Sequence, residues 1–599
     1  MKIIFGIIIF SLIFYTLSFS QYEIDTLVYE DTSETYIEEL MEQTTEEEDS
    51  PLLDVTEFEM PVVDKVSLWK TSITLRSRIS RKLQRARGYV GGKYLGTPIK
   101  SYQRMKVEQG KNVSAGLLFE KDAGEKYFND FTNGYIQVKD IWLLKSLILG
   151  DFIFESGQGL VLWRGYDFQK GAIITAGTFK EGKELKPHLS SDENGFLRGA
   201  AARFEFSNIS AAIFYSRKYL SATIDGFNNV TSIYNTGYFR TESEISKRAN
   251  LVEILYGSRV SYSYRDKLKL GVTGYTTEFS RNLSLYGGKK FTGRNYGIAG
   301  SDYIVKFGEV KLFGELAYTS TKYSSGVTGI MITPSSQVKL LALYRNYSHG
   351  YFGRYANPFG ENYGGSNENG FYVGMQLAPV KRFKVSGYYD QFVFPVSSSL
   401  NYPVHGNEKF MQLESKFIKN IDIYLRYRQK QVDKKVKILD GFNRDVGIID
   451  LKNKNNYRVN VDYHLNRNFK FRFRFEYQTV GMKSSGDYEI GKMLYQELTY
   501  RGSNRLAIKC RISLFSSDSF NSGISQYEND LPGVLTIPVL YGRGVKWYVL
   551  AKYSLLNSLD ISTKYSYLIR EDVKKIGSGW DELPGNYDNR IGIQLDYKF

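Results

Sequence analysis

The chain has 599 residues, of which 42% are hydrophobic and 15% aromatic, and its 79 Lys and Arg outnumber its 64 Asp and Glu. This length is too great for one ordinary soluble domain. The one cysteine, Cys510, excludes an intrachain disulfide. After the first 20 residues no run of 18 apolar residues occurs, which argues against membrane-spanning helices.

The first 64 residues divide into two segments of different composition. Lys2 precedes an apolar run over residues 3–14, and Ser18-Phe19-Ser20 fits a signal-peptidase site, so residues 1–20 are predicted to be a secretory signal peptide. Residues 21–64 contain sixteen Asp and Glu but no Lys or Arg, and are predicted to be a disordered acidic arm in the periplasm. This leaves 78 basic and 48 acidic residues in 65–599, a net charge of +30.

A stretch in the C-terminal half, residues 457–477, has strict two-residue periodicity. Apolar and aromatic side chains alternate with polar ones on both sides of Asn466–Asn468, which predicts two strands joined by a short turn. If Leu465 lies opposite Phe469, then Arg458 faces Glu476 and Asp462 faces Arg472, two favourable cross-strand pairs. One face of the hairpin is then Phe, Tyr, Val and Leu, and the other is charged.

The same alternation recurs to the end of the chain, and the predicted connections alternate in length. Short turns near residues 206–209, 265–268, 379–382, 419–421, 466–468 and 557–559 interleave with long polar connections. The long connections are predicted at 155–194, 218–249, 281–294, 349–366, 432–455, 517–543 and 572–587. Short turns at one rim and long loops at the other are typical of outer-membrane barrels.

The last nine residues alternate apolar and polar side chains and end on an aromatic pair, Tyr597 and Phe599. This pattern resembles the C-terminal strand that the barrel-insertion machinery recognises. The sequence therefore predicts an all-β protein, with residues 65–599 forming a large antiparallel transmembrane β-barrel of about 24 strands, within a range of roughly 20–26. The Phe-rich face would meet outer-membrane lipid, and the charged face would line the lumen.

Several ordered motifs between residues 90 and 400 carry a family resemblance. They are Tyr94-Leu95-Gly96, Glu120-Lys121-Asp122-Ala123-Gly124-Glu125, Gly150-Asp151, Gly157-Gln158-Gly159-Leu160, Trp163, Glu193, Phe196, Arg198-Gly199, Ala201, Asn367-Glu368, Gly370, Tyr389-Asp390 and Phe394-Pro395. In these the chain resembles large Gram-negative outer-membrane barrels often described by a helix-hairpin-helix module. The resemblance implies the barrel and no particular substrate. Residues 21–64 are too acidic and too poor in apolar residues to form that module, so nucleic-acid binding is not expected.

Basic residues dominate the predicted lumen. They are Arg426, Arg428, Arg458, Lys470, Arg472, Arg474, Arg505, Lys509 and Arg511. Because rings of basic side chains favour anions, we expect a channel or transporter that passes or binds anionic solutes. Trp163, Tyr166 and Phe168 predict that the inserted loop 155–194 is packed as a constriction.

Two other functions remain open. A structural or assembly barrel could dock a periplasmic partner through residues 21–64, and an outer-membrane hydrolase is the least favoured alternative. Glu120, Asp122, Glu125, Asp151 and Glu155 form a carboxylate-rich region, but the abundant Lys and Arg favour a satisfied ion network over acid–base catalysis. No catalytic residue, metal site or cofactor is predicted.

Overall fold

The computed structural model describes residues 71–599 except 165–169, 183, 286–290, 398–401, 440–441, 443 and 503–504. The predicted signal peptide (1–20), acidic arm (21–64), Tyr166 and Phe168 lie outside the described residues. The strands of the wall are β1 Thr71–Lys82, β2 Lys100–Gln109, β3 Val113–Lys121, β4 Phe131–Ile141, β5 Leu144–Glu155, β6 Leu197–Phe206, β7 Ile209–Leu220, β8 Leu251–Tyr264, β9 Leu268–Leu285, β10 Phe291–Phe307, β11 Val310–Thr319, β12 Ser324–Ser335, β13 Val338–Tyr347, β14 Glu368–Val380, β15 Phe383–Phe394, β16 Val404–Ser415, β17 Ile421–Leu439, β18 Asp445–His464, β19 Phe469–Met482, β20 Tyr488–Arg501, β21 Leu506–Ser517, β22 Arg543–Leu556, β23 Leu559–Arg570 and β24 Tyr587–Lys598.

These strands form one closed antiparallel barrel of 24 strands, which confirms the predicted fold class. Each strand pairs with its neighbours in the sequence, and β24 pairs with β1 to close the sheet, with Tyr597 opposite Leu75. Backbone hydrogen bonds between Phe599 and Ile73, at 2.8 and 2.9 Å, place both ends of the described barrel at the same rim.

The connections differ in length at the two rims, as predicted. At the rim that holds Thr71 and Phe599, two to five residues connect successive strands. The long connections lie at the opposite rim and contain the short helices α1 Arg87–Val90 and α2 Glu242–Ile245. They also contain the 3₁₀ turn Gly579–Asp581 and the short strands Glu184–Pro187, Ala222–Ile224, Val230–Ile233, Ile524–Ser525, Val539–Leu540, Lys575–Ile576 and Leu583–Pro584.

Two predicted long connections were wrong. Residues 281–294 lie mostly in strands, because β9 continues to Leu285 and β10 begins at Phe291. Residues 432–455 were expected to form a long loop, but β17 and β18 stay paired from Ile421 opposite Tyr463 to Leu439 opposite Asp445. The hairpin extends because every second side chain can remain in water while the backbone ladder continues. Composition alone suggested a loop because these residues are rich in Lys, Asp and Asn.

The predicted register of the β18–β19 hairpin is confirmed. Arg458 lies opposite Glu476, and Asp462 lies opposite Arg472. Phe473 and Phe475 are 40% and 45% exposed, whereas Arg458 and Arg472 are buried. The apolar face is therefore the outer surface of the barrel.

An outward apolar face continues around the barrel. Exposed members on fifteen of the strands are Leu149, Ile213, Tyr256, Val272, Leu316, Tyr344, Phe371, Met411, Leu425, Val459, Phe475, Leu494, Ile512, Val549 and Ile593. A closed barrel with an apolar outer band satisfies its backbone hydrogen bonds inside a bilayer. The protein lies in the outer membrane.

In the described residues, no helix is both long enough and apolar enough to cross a bilayer.

Candidate functional site

The interior of the barrel has two chemically different walls. Inward side chains of β7–β15 form what we call the apolar wall, which comprises Phe214, Leu255, Tyr275, Ile298, Phe313, Val327, Leu343, Tyr372 and Tyr388. Inward side chains of β17–β19 form the basic wall, which comprises Arg426, Arg428, Lys430, Lys452, Lys454, Arg458, Lys470, Arg472 and Arg474. The alternation of each strand sends these residues inward and its apolar partners to lipid.

Two long connections fold into the interior against the apolar wall. Loop A connects β5 to β6 (residues 156–196), and loop B connects β13 to β14 (residues 348–367). The backbone N–H of Trp163 donates to the Tyr355 carbonyl at 2.8 Å, and the Tyr351 hydroxyl donates to the Leu160 carbonyl at 2.7 Å. Both loops belong to one buried cluster with the apolar wall, so they form a packed unit rather than two separate segments.

The start of loop A is fixed by a buried carboxylate of β11. Glu315 accepts hydrogen bonds from the backbone N–H groups of Gln158 at 2.6 Å, Leu160 at 2.9 Å and Val161 at 3.3 Å. Gly157 has a positive φ of 54°, and an added Cβ there would lie 2.6 Å from the Glu315 carboxyl group. The glycine-rich motif is thus a bend that presents three backbone N–H groups to one carboxylate. The sequence analysis predicts the bend but not this carboxylate.

Lys170 of loop A lies in a cluster of buried charges. Its ammonium contacts the carboxylates of Glu361 in loop B and of Asp390 at 2.6 Å and Glu408 at 3.5 Å on the barrel wall. Lys430 of the basic wall also contacts Glu361, at 2.8 Å. Burial opposes ionisation of Glu361, but Lys170 and Lys430 outweigh it and hold the pKa of this carboxyl well below its usual value.

A third connection, loop C (residues 518–542, between β21 and β22), also folds inward. Glu528 contacts Lys546 at 2.5 Å and Lys564 at 2.7 Å, and the Arg511 guanidinium donates to the Tyr527 carbonyl at 2.5 Å. Burial opposes ionisation of Glu528, but the two lysines hold its pKa well below the usual value. Loop C also packs on apolar and aromatic side chains of the wall, through Ile524, Leu531 and Leu540.

Most of the predicted basic residues lie on the inner face and are paired with carboxylates. These ion pairs are Arg428 with Glu408 at 2.7 Å, Arg458 with Glu476 at 2.8 Å, Lys470 with Asp462 at 3.0 Å, Arg472 with Asp462 at 2.7 Å and Arg511 with Glu497 at 2.6 Å. These pairs reduce the positive charge that the sequence alone suggested for the lumen.

Three other predicted residues donate to neutral amide oxygens. Arg426 donates to Gln412 at 2.8 Å, Arg474 to Asn460 at 3.1 Å and Lys509 to Asn529 at 3.0 Å. Arg474 also lies over the ring of Tyr495, with 5.2 Å from its guanidinium carbon to the ring centroid. These acceptors satisfy hydrogen bonds without adding negative charge.

Arg505 needs a correction, because it was predicted to alternate within a strand. β21 begins at Leu506, and Arg505 is exposed in the preceding turn at the short-turn rim. The alternating pattern extended one residue too far, since a turn residue can match the period by chance. Arg505 thus stands at the mouth of the barrel, away from the packed inner side chains.

Of the three aromatic residues predicted to form a constriction, only Trp163 is described. Its ring lies under the Lys180 ammonium, 4.9 Å from the centroid, and its backbone pairs with loop B. Sequence reasoning missed the aromatic residues of loop B, although Tyr351, Phe352, Tyr355 and Phe359 were a signal that this loop is packed. It also missed the inward packing of loop C, which it had predicted only as a long polar connection at 517–543, and the contacts of Lys170.

The carboxylate-rich region is engaged in ion pairs. Lys100 contacts Asp122 at 2.6 Å, Arg198 contacts Asp151 at 2.6 Å, and Lys186 contacts a carboxylate of β5. Among the described residues, no three His, Cys, Asp or Glu side chains are grouped as they would be around a metal ion. Glu125 differs from these residues, because it accepts from the backbone N–H groups of Asp122 at 2.7 Å and Phe239 at 3.0 Å, and burial together with neighbouring carboxylates raises its pKa to about 8.

Comparison with known proteins finds similar folds without sequence similarity. No family model and no curated protein matches the chain, so the resemblance to helix-hairpin-helix barrels stays a prediction. The siderophore receptor PirA from Pseudomonas aeruginosa is 9% identical with a TM-score of 0.41, over 89% of this chain and 81% of that one. The ferric enterobactin receptor PfeA from the same organism is 9% identical with a TM-score of 0.44, over 89% and 81%.

The copper transporter OprC is 7% identical with a TM-score of 0.42, over 90% of this chain and 81% of that one. At these identities and TM-scores the comparisons assign no solute and no role to this chain.

Proposed function

We propose that this protein is an outer-membrane transporter or channel whose path follows the basic wall and favours anionic solutes. The observation that supports this proposal is that the interior has an apolar wall and a separate basic wall. Loops A and B pack mainly on the apolar wall, although Glu361 of loop B also contacts Lys430, and inward Lys and Arg concentrate on the three adjacent strands of the basic wall. A continuous inward row of cations attracts anions along its length.

The positive charge of the path is moderate. Asp462 and Glu476 each pair with an arginine, and Arg426 and Arg474 donate to amide oxygens. Fixed charges act over about 10 Å at 0.1 M salt, so the selectivity depends on the width that loops A, B and C leave. We therefore expect anion preference to weaken as salt rises.

The test is the reversal potential in planar bilayers under a salt gradient. The wild type is expected to prefer anions, and Arg426→Glu combined with Arg474→Glu is expected to reduce or reverse that preference. Arg382→Glu combined with Arg505→Glu is the matched control, because both residues are exposed in turns at the short-turn rim and the pair carries the same total charge change. Cation preference in the wild type would contradict the proposal.

A structural or assembly role is the second candidate, and the inward packing of three loops favours it. If loops A, B and C fill the interior, folded protein would show no conductance at any salt concentration. Residues 21–64 would then be the element available for a periplasmic partner. Pull-down from periplasm with the full chain and with acidic-arm variants would test this role.

A further inference from the structure

The outer face of the barrel has an apolar groove that crosses β12 to β15. One row of its lining places Ile332 opposite Leu340, Leu340 opposite Met375, and Met375 opposite Gly387. Leu340 and Met375 are 37% and 40% exposed, so this row belongs to the outward face. The groove has a volume of about 460 Å³, which is within the size range of small-molecule sites.

The groove exists because two outward positions have no large side chain. Gly387 has none and Ala342 has only a methyl group, whereas the side chains around them are those of Ile, Leu, Val, Met and Tyr. Among the described residues, an added Cβ at Gly387 would approach only the carbonyl oxygen of Phe410, at 3.2 Å. The space above Gly387 is therefore open to the lipid side of the wall.

The depth of the groove places it in the periplasmic half of the bilayer, because the short turns of such barrels face the periplasm. Gly387 is six residues from Lys381, in the turn between β14 and β15. Six residues of an antiparallel strand span about 20 Å, which a strand tilt of about 35–45° reduces to a depth of about 14–17 Å. Half of a bilayer with its headgroups is about 20–22 Å thick, so the groove lies beside acyl chains. Phe383 stacks on Phe417 near this rim, with 6.3 Å between ring centroids, as aromatic residues do at a membrane boundary.

The rim below the groove is basic. The turn 381–382 consists of two exposed basic residues. The adjoining turn, residues 416–420, adds the exposed Lys419, and neither turn contains Asp or Glu. Basic side chains at the headgroup level bind lipid phosphates through charge-assisted hydrogen bonds. The groove and the turn therefore match the two chemical parts of a phospholipid, the acyl chain and the phosphate.

We propose that the groove binds one acyl chain of a phospholipid in the periplasmic leaflet, and that the phosphate of this lipid contacts Lys381. A flexible chain can follow a groove bounded by Ile332, Leu340 and Met375, whereas the wall of a second barrel is convex and too broad to enter it. The lipid lies outside the barrel. The inference therefore goes beyond the proposed function and does not depend on whether the barrel conducts.

Photolabelling of the full chain in vesicles tests this site. The vesicles contain phosphatidylethanolamine and phosphatidylglycerol, with a trace of phosphatidylglycerol that carries a diazirine in the middle of one acyl chain. After irradiation, mass spectrometry locates the adducts. We expect β13 and β14 to carry at least threefold more adduct than β8 and β9, and we expect excess unlabelled phosphatidylglycerol to reduce this labelling. Equal labelling of both walls, as bulk lipid alone would give, would overturn the proposal.

Filling the groove provides the second measurement. In Gly387→Leu the new side chain occupies the space of the acyl chain, so labelling of β13 and β14 should fall at least threefold. Gly274→Leu is the matched control, because Gly274 is on the outward face of β9 and an added Cβ there would lie 3.3 Å from the Ile298 carbonyl oxygen. This control should be labelled like the wild type. Unchanged labelling in Gly387→Leu would contradict the proposal.

The phosphate contact is tested by a variant that leaves the groove intact. Lys381→Gln should reduce labelling of β13 and β14 at least twofold, whereas Lys267→Gln, exposed in another turn of the same rim, should not change it. Equal labelling in these two variants would contradict the phosphate contact and with it the proposed lipid. A groove that is protected from the label in dimers, and that Gly387→Leu exposes by dissociating them, would instead assign it to a second copy and overturn the proposal.

Discussion

The Lys170 ammonium lies 2.6 Å from the Asp390 carboxylate, and both side chains are fully buried. This contact joins loop A to β15, and Glu361 on the other side of Lys170 joins the same cation to loop B. One lysine therefore connects both loops to the barrel wall. Its position explains how loop A stays packed inside the barrel.

Replacing Lys170 with Met should release loop A. Asp390, Glu361 and Glu408 would be left as buried carboxylates without this cation, which costs on the order of 3–5 kcal/mol for a broken buried pair. Limited proteolysis should then cut loop A faster in folded barrels, and conductance should rise. Lys145→Met is the control, because the Lys145–Asp140 pair is exposed and such pairs contribute about 1 kcal/mol or less. Equal protease resistance in both variants would mean that Lys170 does not hold the loop.

Acidification should loosen the inward loops. The pKa values of Glu361 and Glu528 are held below their usual 4.5 by lysines, although burial opposes this. A carboxyl with a depressed pKa in the folded state stabilises the fold fully above its unfolded pKa and loses this contribution as pH falls below it. Amide exchange in loops B and C should therefore increase as pH decreases from 4.5 towards 3, after correction for the intrinsic rate. Glu361→Gln should reduce this pH dependence in loop B, and a pH-independent loop B would contradict the assignment.

Replacing Glu315 with Gln should weaken the bend of loop A. The carboxylate accepts from Gln158, Leu160 and Val161, and a carboxamide brings an N–H group towards those N–H donors. Amide exchange at these three positions should accelerate by at least tenfold, while the barrel remains closed. Glu309→Gln, in an exposed turn, is the control. Unchanged exchange at Leu160 would show that loop A is fixed elsewhere.

The outward face can be tested at Phe473, which is 40% exposed in the middle of β19. Phe473→Arg should cost about 2–4 kcal/mol in a bilayer if the side chain meets lipid near the midplane. Phe473→Leu keeps an apolar surface and should cost far less. Folding equilibria in lipid vesicles give both values. If Phe473→Arg lowers the free energy of unfolding no more than Phe473→Leu does, this face contacts water and not lipid.

The register of the β18–β19 hairpin could be predicted because two strict alternations flank a short turn. Once Leu465 is set opposite Phe469, each further pair follows, including Arg458 with Glu476. The prediction that the sheet closes into a barrel was less direct, because it depended on the number of strands and on the final aromatic residues Tyr597 and Phe599. The two-residue periodicity and the position of the short turn are therefore enough to predict how neighbouring strands of the barrel pair.

The contents of the barrel could not be predicted in the same way. Glu315 meets Gln158, and Lys170 meets Glu361, across separations of 157 and 191 residues. Such contacts leave no periodic signal, since they depend on how a loop enters a space that only the closed barrel creates. The aromatic residues of loop B indicate that this loop is packed, but they do not indicate which strands it packs against. For the same reason the ion pairs that moderate the basic lumen became visible only with the register of all neighbouring strands.

Flux of size-matched sugars through proteoliposomes tests the central claim most directly. Vesicles containing the full chain are swollen in anionic, neutral and cationic sugars of equal size at low salt. The proposed path along Arg426, Arg458 and Arg474 predicts fastest entry of the anionic sugar and loss of this preference in Arg426→Glu with Arg474→Glu. Entry of the cationic sugar at an equal or higher rate than the anionic one would contradict a basic transport path.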